Sequence, residues 1–147
     1  MYYKDIETVQ EIIRKLRKGG ALVNNSCGIH THIGAKDFDS KHLKFLYNIF
    51  YSKADLIYTA LKIDPHRLRY CKKYSEDFIK KLNSKKPTDM SEFADIWYEC
   101  NSIRFESRTN HYNGSRYHWG NLHNLLCGVR QKIIFYSTSA LIKKFKR

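Results

Sequence analysis

Two histidines, His30 and His32, stand two residues apart in Gly28-Ile29-His30-Thr31-His32-Ile33-Gly34, a short apolar run bounded by glycines. In a strand successive side chains point to opposite faces, so the imidazoles share one face and Ile29, Thr31 and Ile33 take the other. An imidazole pair held this way can bind a divalent metal, donate to phosphate oxygens, or serve as acid and base. The plainer reading of so short a motif is two polar side chains facing solvent. Asn24-Asn25-Ser26 supplies turn residues ahead of the run, and the two glycines allow close backbone approach at its ends. The spacing predicts one face for chemistry and one for the core.

Two further stretches carry usable side chains. Arg67-Leu68-Arg69-Tyr70-Cys71-Lys72-Lys73 is basic and aromatic. It reads either as surface or as an anion clamp, a role that suits the guanidinium fork. Arg116-Tyr117-His118-Trp119-Gly120-Asn121-Leu122-His123 follows the turn signal Asn113-Gly114. Cys27, Cys71, Cys100 and Cys127 form no Cys-x-x-Cys pair, which argues against a zinc ribbon. Four buried or half-buried thiols are expected.

Elements that position these residues are legible from periodicity. Asp5 to Lys18 predicts an amphipathic helix, with Ile6, Val9, Ile12, Ile13 and Leu16 on one side and Gly19-Gly20 as its stop. Ala21-Leu22-Val23 leads into the histidine strand. Asp39 or Ser40 caps a second helix running to about Leu61, with Leu43, Leu46, Tyr47, Phe50, Ala54, Ile57 and Leu61 as its buried stripe. Asp64-Pro65 ends it. Shorter helices are expected over Glu76 to Leu82 and from Ser91 to about Cys100. Lys132-Ile133-Ile134-Phe135-Tyr136 reads as a strand, and Ala140 to Lys146 as a weak basic helix.

The chain has 147 residues, 42% hydrophobic and 28% charged, the balance of one folded domain and not of a disordered segment. No apolar run reaches membrane-spanning length and the first residues lack a signal-peptide core, so a cytoplasmic protein is expected. Lys and Arg number 27 against 14 Asp and Glu, a net charge of +13. That excess favours polyanionic partners such as nucleotide triphosphate, nucleic acid or an acidic substrate.

Ser26-Cys27-Gly28-Ile29-His30-Thr31-His32-Ile33 resembles the Ser/Thr-Cys-Gly-hydrophobic-His-hydrophobic-His signature of the amidoligase family, carboxylate–amine ligases of the glutamine-synthetase-like superfamily. A helix before the motif, Arg69-Tyr70-Cys71 after the long helix, and Arg116-Tyr117 with Asn121-Leu122-His123 agree in order. Gly120 stands where the family has a leucine. The resemblance implies an α+β fold, a mostly antiparallel sheet covered by helices, as a single, incomplete amidoligase-like domain over residues 1–147. It implies ATP-dependent joining of a small-molecule or peptide carboxylate to an amine through an acyl phosphate, with Mg²⁺. By the same resemblance His30 and His32 sit in the nucleotide–metal cleft as catalytic groups and metal ligands. Arg69 and catalytic Arg116 contact phosphate or carboxylate, and Asn121 orients substrate or backbone.

Two departures stand out. The family's opening acidic strand, Gly-hydrophobic-Glu-hydrophobic-Glu, has no counterpart before Asp5, and the later Glu-Phe-Arg strand is replaced by Gly128 to Thr138 without the glutamate. These losses predict weak ligase activity or none. They also make the remainder more basic, which weakens the charge as a sign of nucleic-acid binding. Two readings from other classes stay open. One is a metal-dependent single-strand DNA nicking enzyme of the His-x-His type, for which Tyr58 and Lys62 supply a Tyr-x-x-x-Lys. The other is a non-catalytic basic binding module.

Overall fold

The computed structural model describes residues 3–22, 28–61, 63, 65–103, 106–128 and 131–138. Helix α1 (Tyr3–Lys18) forms where the periodicity places it, acidic at Asp5 in its first turn and basic at Lys15, Arg17 and Lys18 in its last. That polarity matches the helix dipole. Its apolar stripe remains exposed, from 38% at Val9 to 56% at Leu16. Strand β1 (Gly28–Gly34) carries the two histidines.

Asp39 caps α2 (Ser40–Ser52), its side chain accepting from His42 N at 2.8 Å. The expected single helix to Leu61 is in fact broken. It stops at Lys53, and α3 (Ala54–Leu61) follows. The Ser52 hydroxyl donates to the Ile49 carbonyl at 2.9 Å, the local competition by which serine disturbs a helix interior. A 3₁₀ turn covers Pro65–Tyr70. Ser75 caps α4 (Glu76–Lys85), and Asp89 caps α5 (Met90–Asn101) by accepting from Ser91 N and Glu92 N. A second 3₁₀ turn (Gly114–Tyr117) leads to the short strand β2 (Gly120–Asn121), the single-turn helix α6 (His123–Leu126) and strand β3 (Lys132–Thr138). The helix expected over Ala140 to Lys146 lies outside the described residues.

The fold is α+β. Its three strands run in the order β1-β3-β2, both pairings antiparallel, so the last strand in the sequence is central in space. Directly paired residues face the same side of a sheet, which assigns every position to one of two faces. Gly120 and Phe135 pair on one face; Ile133 lies there too. This face meets α2, where Phe50 contacts the Phe135 ring at 5.1 Å. Tyr47 is fully buried at the centre of the aromatic core, with ring contacts to Tyr74 at 4.9 Å and Trp97 at 5.6 Å.

The helix layer does not extend across β1. Thr31 and Ile33, expected in the core, are exposed, Ile33 by 42%. Alternation placed them on the inner face correctly, but α2 covers β3 and β2 and leaves the β1 edge uncovered. Among the described residues no helix is long and apolar enough to cross a membrane.

Candidate functional site

His30 and His32 lie on the same face of β1, both exposed, opposite Tyr136 and Ile134 of β3. The row through His32 continues across the sheet: Ile134 pairs with His32 on one side and Asn121 on the other. Asn121 and His32 therefore share a face, two strand spacings apart, about 10 Å. Their surroundings differ. Asn121 is fully buried, and its side-chain oxygen accepts from His123 N at 2.8 Å, which starts α6 on this face. The histidine face is thus open along β1 and covered at β2.

His32 has a neighbour that sequence spacing gave no means of finding. Lys132 Nζ lies 2.9 Å from His32 Nδ1, a contact between residues a hundred positions apart. An ammonium has only donors, so Nδ1 is the acceptor in this contact.

The segments that carry Arg69 and Arg116 meet through the tyrosines that follow them. The Tyr70 and Tyr117 rings meet edge to face, centroids 6.0 Å apart. Main-chain bonds fix the approach: Lys72 N donates to Tyr117 O at 2.9 Å, and Trp119 N to Lys72 O at 3.2 Å. Around this pair the guanidinium groups stack on rings. Arg69 lies 4.7 Å and Arg67 5.3 Å from the Tyr70 centroid, and Arg116 lies 5.6 Å from that of Tyr112. Arg116 also donates to the His111 carbonyl. Arg67 Nε is buried and, among the described residues, has no hydrogen-bond partner.

The arginine pair leads into β2 and the histidine pair lies on β1, with β3 between them. The two groups occupy opposite sides of the sheet's central strand.

Gly120 explains the missing leucine of the family pattern. Its carbonyl accepts from both Tyr47 and Tyr74 hydroxyls at 2.8 Å, and its N–H donates to Tyr74 at 2.9 Å. A Cβ here would lie 2.4 Å from the Tyr74 oxygen and 3.1 Å from Phe135 Cε1. Burial raises both phenols far above their usual range and keeps them neutral donors.

Two buried histidines complete the surroundings. His118 stacks on Tyr74 at 5.6 Å, and its Nδ1 lies 3.0 Å from the Ser115 carbonyl. Burial pulls it down to about 4, against a partial upward effect of that hydrogen bond. His123 Nδ1 lies 3.1 Å from the Tyr98 hydroxyl; burial and then the Arg116 charge lower its pKa. Both hold structure. Of the cysteines, Cys71 is buried and Cys100 and Cys127 are half-buried, all free thiols, while Cys27 lies outside the described residues. Burial pushes Cys100 up to about 11, which disfavours its thiolate at neutral pH.

Residues 1–128 match the family model described as "Putative amidoligase enzyme". The chain belongs to the amidoligase family. The comparisons with curated proteins and with solved structures each gave no match. Within this amidoligase the matched region holds β1, both Arg-Tyr pairs and β2, whereas β3 and Lys132 lie beyond it.

The magnesium implied by the resemblance fits these residues poorly. Among the described residues no group of three or more His, Cys, Asp or Glu could hold a metal ion. Mg²⁺ demands oxygen ligands, and His32 Nδ1 faces an ammonium. The nicking alternative meets a different obstacle. Tyr58 is 9% exposed and its hydroxyl donates to the Cys71 carbonyl, so this phenol is sequestered from any DNA strand.

Proposed function

We propose that the chain is an ATP-dependent carboxylate–amine ligase. A substrate carboxylate oxygen attacks the γ-phosphorus of ATP, and the bond to the β–γ bridging oxygen breaks, giving an acyl phosphate and ADP. The amine then adds to the acyl carbon, phosphate leaves, and the amine proton passes to solvent or to a basic side chain. Both steps move charge among phosphate and carboxylate oxygens, which guanidinium groups recognise through paired donors.

The observation that carries this reading is the meeting of Arg69-Tyr70 with Arg116-Tyr117 through the tyrosine rings. Arg69 packs over Tyr70 and Arg116 over Tyr112; Arg116 gives one N–H to the His111 carbonyl and has others left to donate. Arg67 Nε, without a partner among the described residues, adds one donor to this cluster. In this reading Arg69 and Arg67 hold phosphate, Arg116 holds the carboxylate side, and Asn121 fixes the backbone entering α6. His30 and His32 face the reacting groups from β1. The described residues hold no carboxylate cage for Mg²⁺, so this reading expects slow turnover.

The test is ADP release by the purified chain with ATP, divalent salt and panels of carboxylates and amines. Release that requires both a carboxylate and an amine supports the proposal. Release independent of both, or none across the panels, removes it.

A further inference from the structure

We infer that two copies of this chain pair antiparallel through α1, burying a seam made of Ile6, Val9, Ile13 and Leu16.

Every residue from 5 to 22 is exposed, and none belongs to the core cluster, so α1 turns no side inward. A helix of this length gains little from its own backbone in water, and its apolar face normally needs a neighbour. Here that face is ordered. Ile6, Val9, Ile13 and Leu16 follow one another at steps of three, four and three residues, the a and d positions of a coiled-coil seam, with Ile12 on its flank. The seam runs about 15 Å along the helix. The same stripe on a second copy is its match. A twofold pairing sets Ile6 against Leu16 and Val9 against Ile13, and closes both stripes at once.

Charge selects this partner and this direction. Among the described α1 side chains, the acids Asp5, Glu7 and Glu11 all precede the bases Arg14, Lys15, Arg17 and Lys18. Lys4, ahead of them in sequence, is the exception. Antiparallel copies lay the acidic half of one helix along the basic half of the other, Asp5 level with Arg17 and Glu7 with Lys15, with the helix dipoles opposed. Parallel copies would set like against like. An anionic membrane would repel the acidic half. The other exposed apolar row, Phe45 and Ile49 on α2 with Leu56 on α3, is flanked in sequence by Lys41, Lys44 and Lys53, which would repel the basic half. A second α1 satisfies both halves. Four seam residues from each copy make a small interface, so the dimer is weak and concentration-dependent. The repulsion between two chains of net charge +13 is screened at physiological salt beyond about 8 Å.

The experiment is sedimentation equilibrium of the whole chain at about 0.15 M salt. The parent chain should pass from monomer to dimer across the micromolar range. Ile13→Glu should weaken the dimer about tenfold or more, and Phe45→Glu should leave it within about twofold. A chain carrying Asp5→Lys, Glu7→Lys and Glu11→Lys should lose self-association and regain it when mixed with one carrying Lys15→Glu, Arg17→Glu and Lys18→Glu. A parent chain that stays monomeric at every concentration overturns the pairing, whether or not anionic phospholipid vesicles capture it. A dimer broken by Phe45→Glu and not by Ile13→Glu overturns it as well, as does a mixture of the charge variants that stays monomeric. The parent-chain and mixing measurements decide the matter even if Ile13→Glu fails to fold.

Discussion

Tyr70 and Tyr117 meet edge to face with ring centroids 6.0 Å apart and an interplanar angle of 64°. Each tyrosine directly follows an arginine, so the ring contact joins the two segments that carry Arg69 and Arg116. Arg69→Ala and Arg116→Ala should each weaken ATP or carboxylate binding by ~1.5–3 kcal/mol, the worth of a lost charge-assisted contact. Tyr117→Ala, which removes no charge, should weaken it as well by releasing both guanidinium groups from register. Calorimetric titration of each folded variant is the check. Unchanged affinity in both arginine variants would remove the clamp.

Gly120 and Tyr74 give a reciprocal pair for stability. Gly120→Ala places a methyl against the Tyr74 oxygen, where 2.4 Å is available, and should cost about 1–3 kcal/mol as overpacking does. Tyr74→Phe loses hydrogen bonds but vacates that space. The double variant should therefore be more stable than the sum of the single losses, measured by urea unfolding. Strict additivity would show that the close approach costs nothing.

Acid should unfold the protein through its histidines. Burial holds His118 at about 4, below the 6.5 of the unfolded chain, so the unfolded state binds more protons between those values. Its contribution is complete above about pH 6.5 and is lost as pH falls through about 4, amounting to roughly 3 kcal/mol at most. His123, lowered by burial and then by the Arg116 charge, acts in the same sense. Unfolding free energy measured from pH 7 to pH 4 should fall across this window, and less steeply in His118→Gln. A flat profile would contradict the burial of a neutral His118.

Local structure was readable where local physics decides it. The periodicity of Ile6 to Leu16, the Asp39 cap and the alternation around His30 and His32 each specified an element that the fold contains. What covers an element is a tertiary matter. Alternation put Ile33 on the inner face but could not show that α2 covers β3 and leaves Ile33 exposed; periodicity likewise could not show that the α1 stripe stays exposed. Ser52 looked like an ordinary helix residue until its hydroxyl took the Ile49 carbonyl. The site divides in the same way. The histidine spacing and both Arg-Tyr pairs were visible as types in sequence. The Lys132–His32 contact follows from strand pairing, and the Tyr70–Tyr117 contact and the clamp on Gly120 from the packing of turns and helices far apart in sequence.

The most direct measurement of the ligase proposal uses a substrate carboxylate labelled with ¹⁸O, incubated with the whole chain, ATP and an amine. Attack of the carboxylate on the γ-phosphorus carries one labelled oxygen into the acyl phosphate, and aminolysis leaves it on inorganic phosphate. One ¹⁸O in phosphate for each amide formed is the expected result. Amide formed with unlabelled phosphate, or ATP hydrolysed with no label transferred, would contradict an acyl-phosphate ligase.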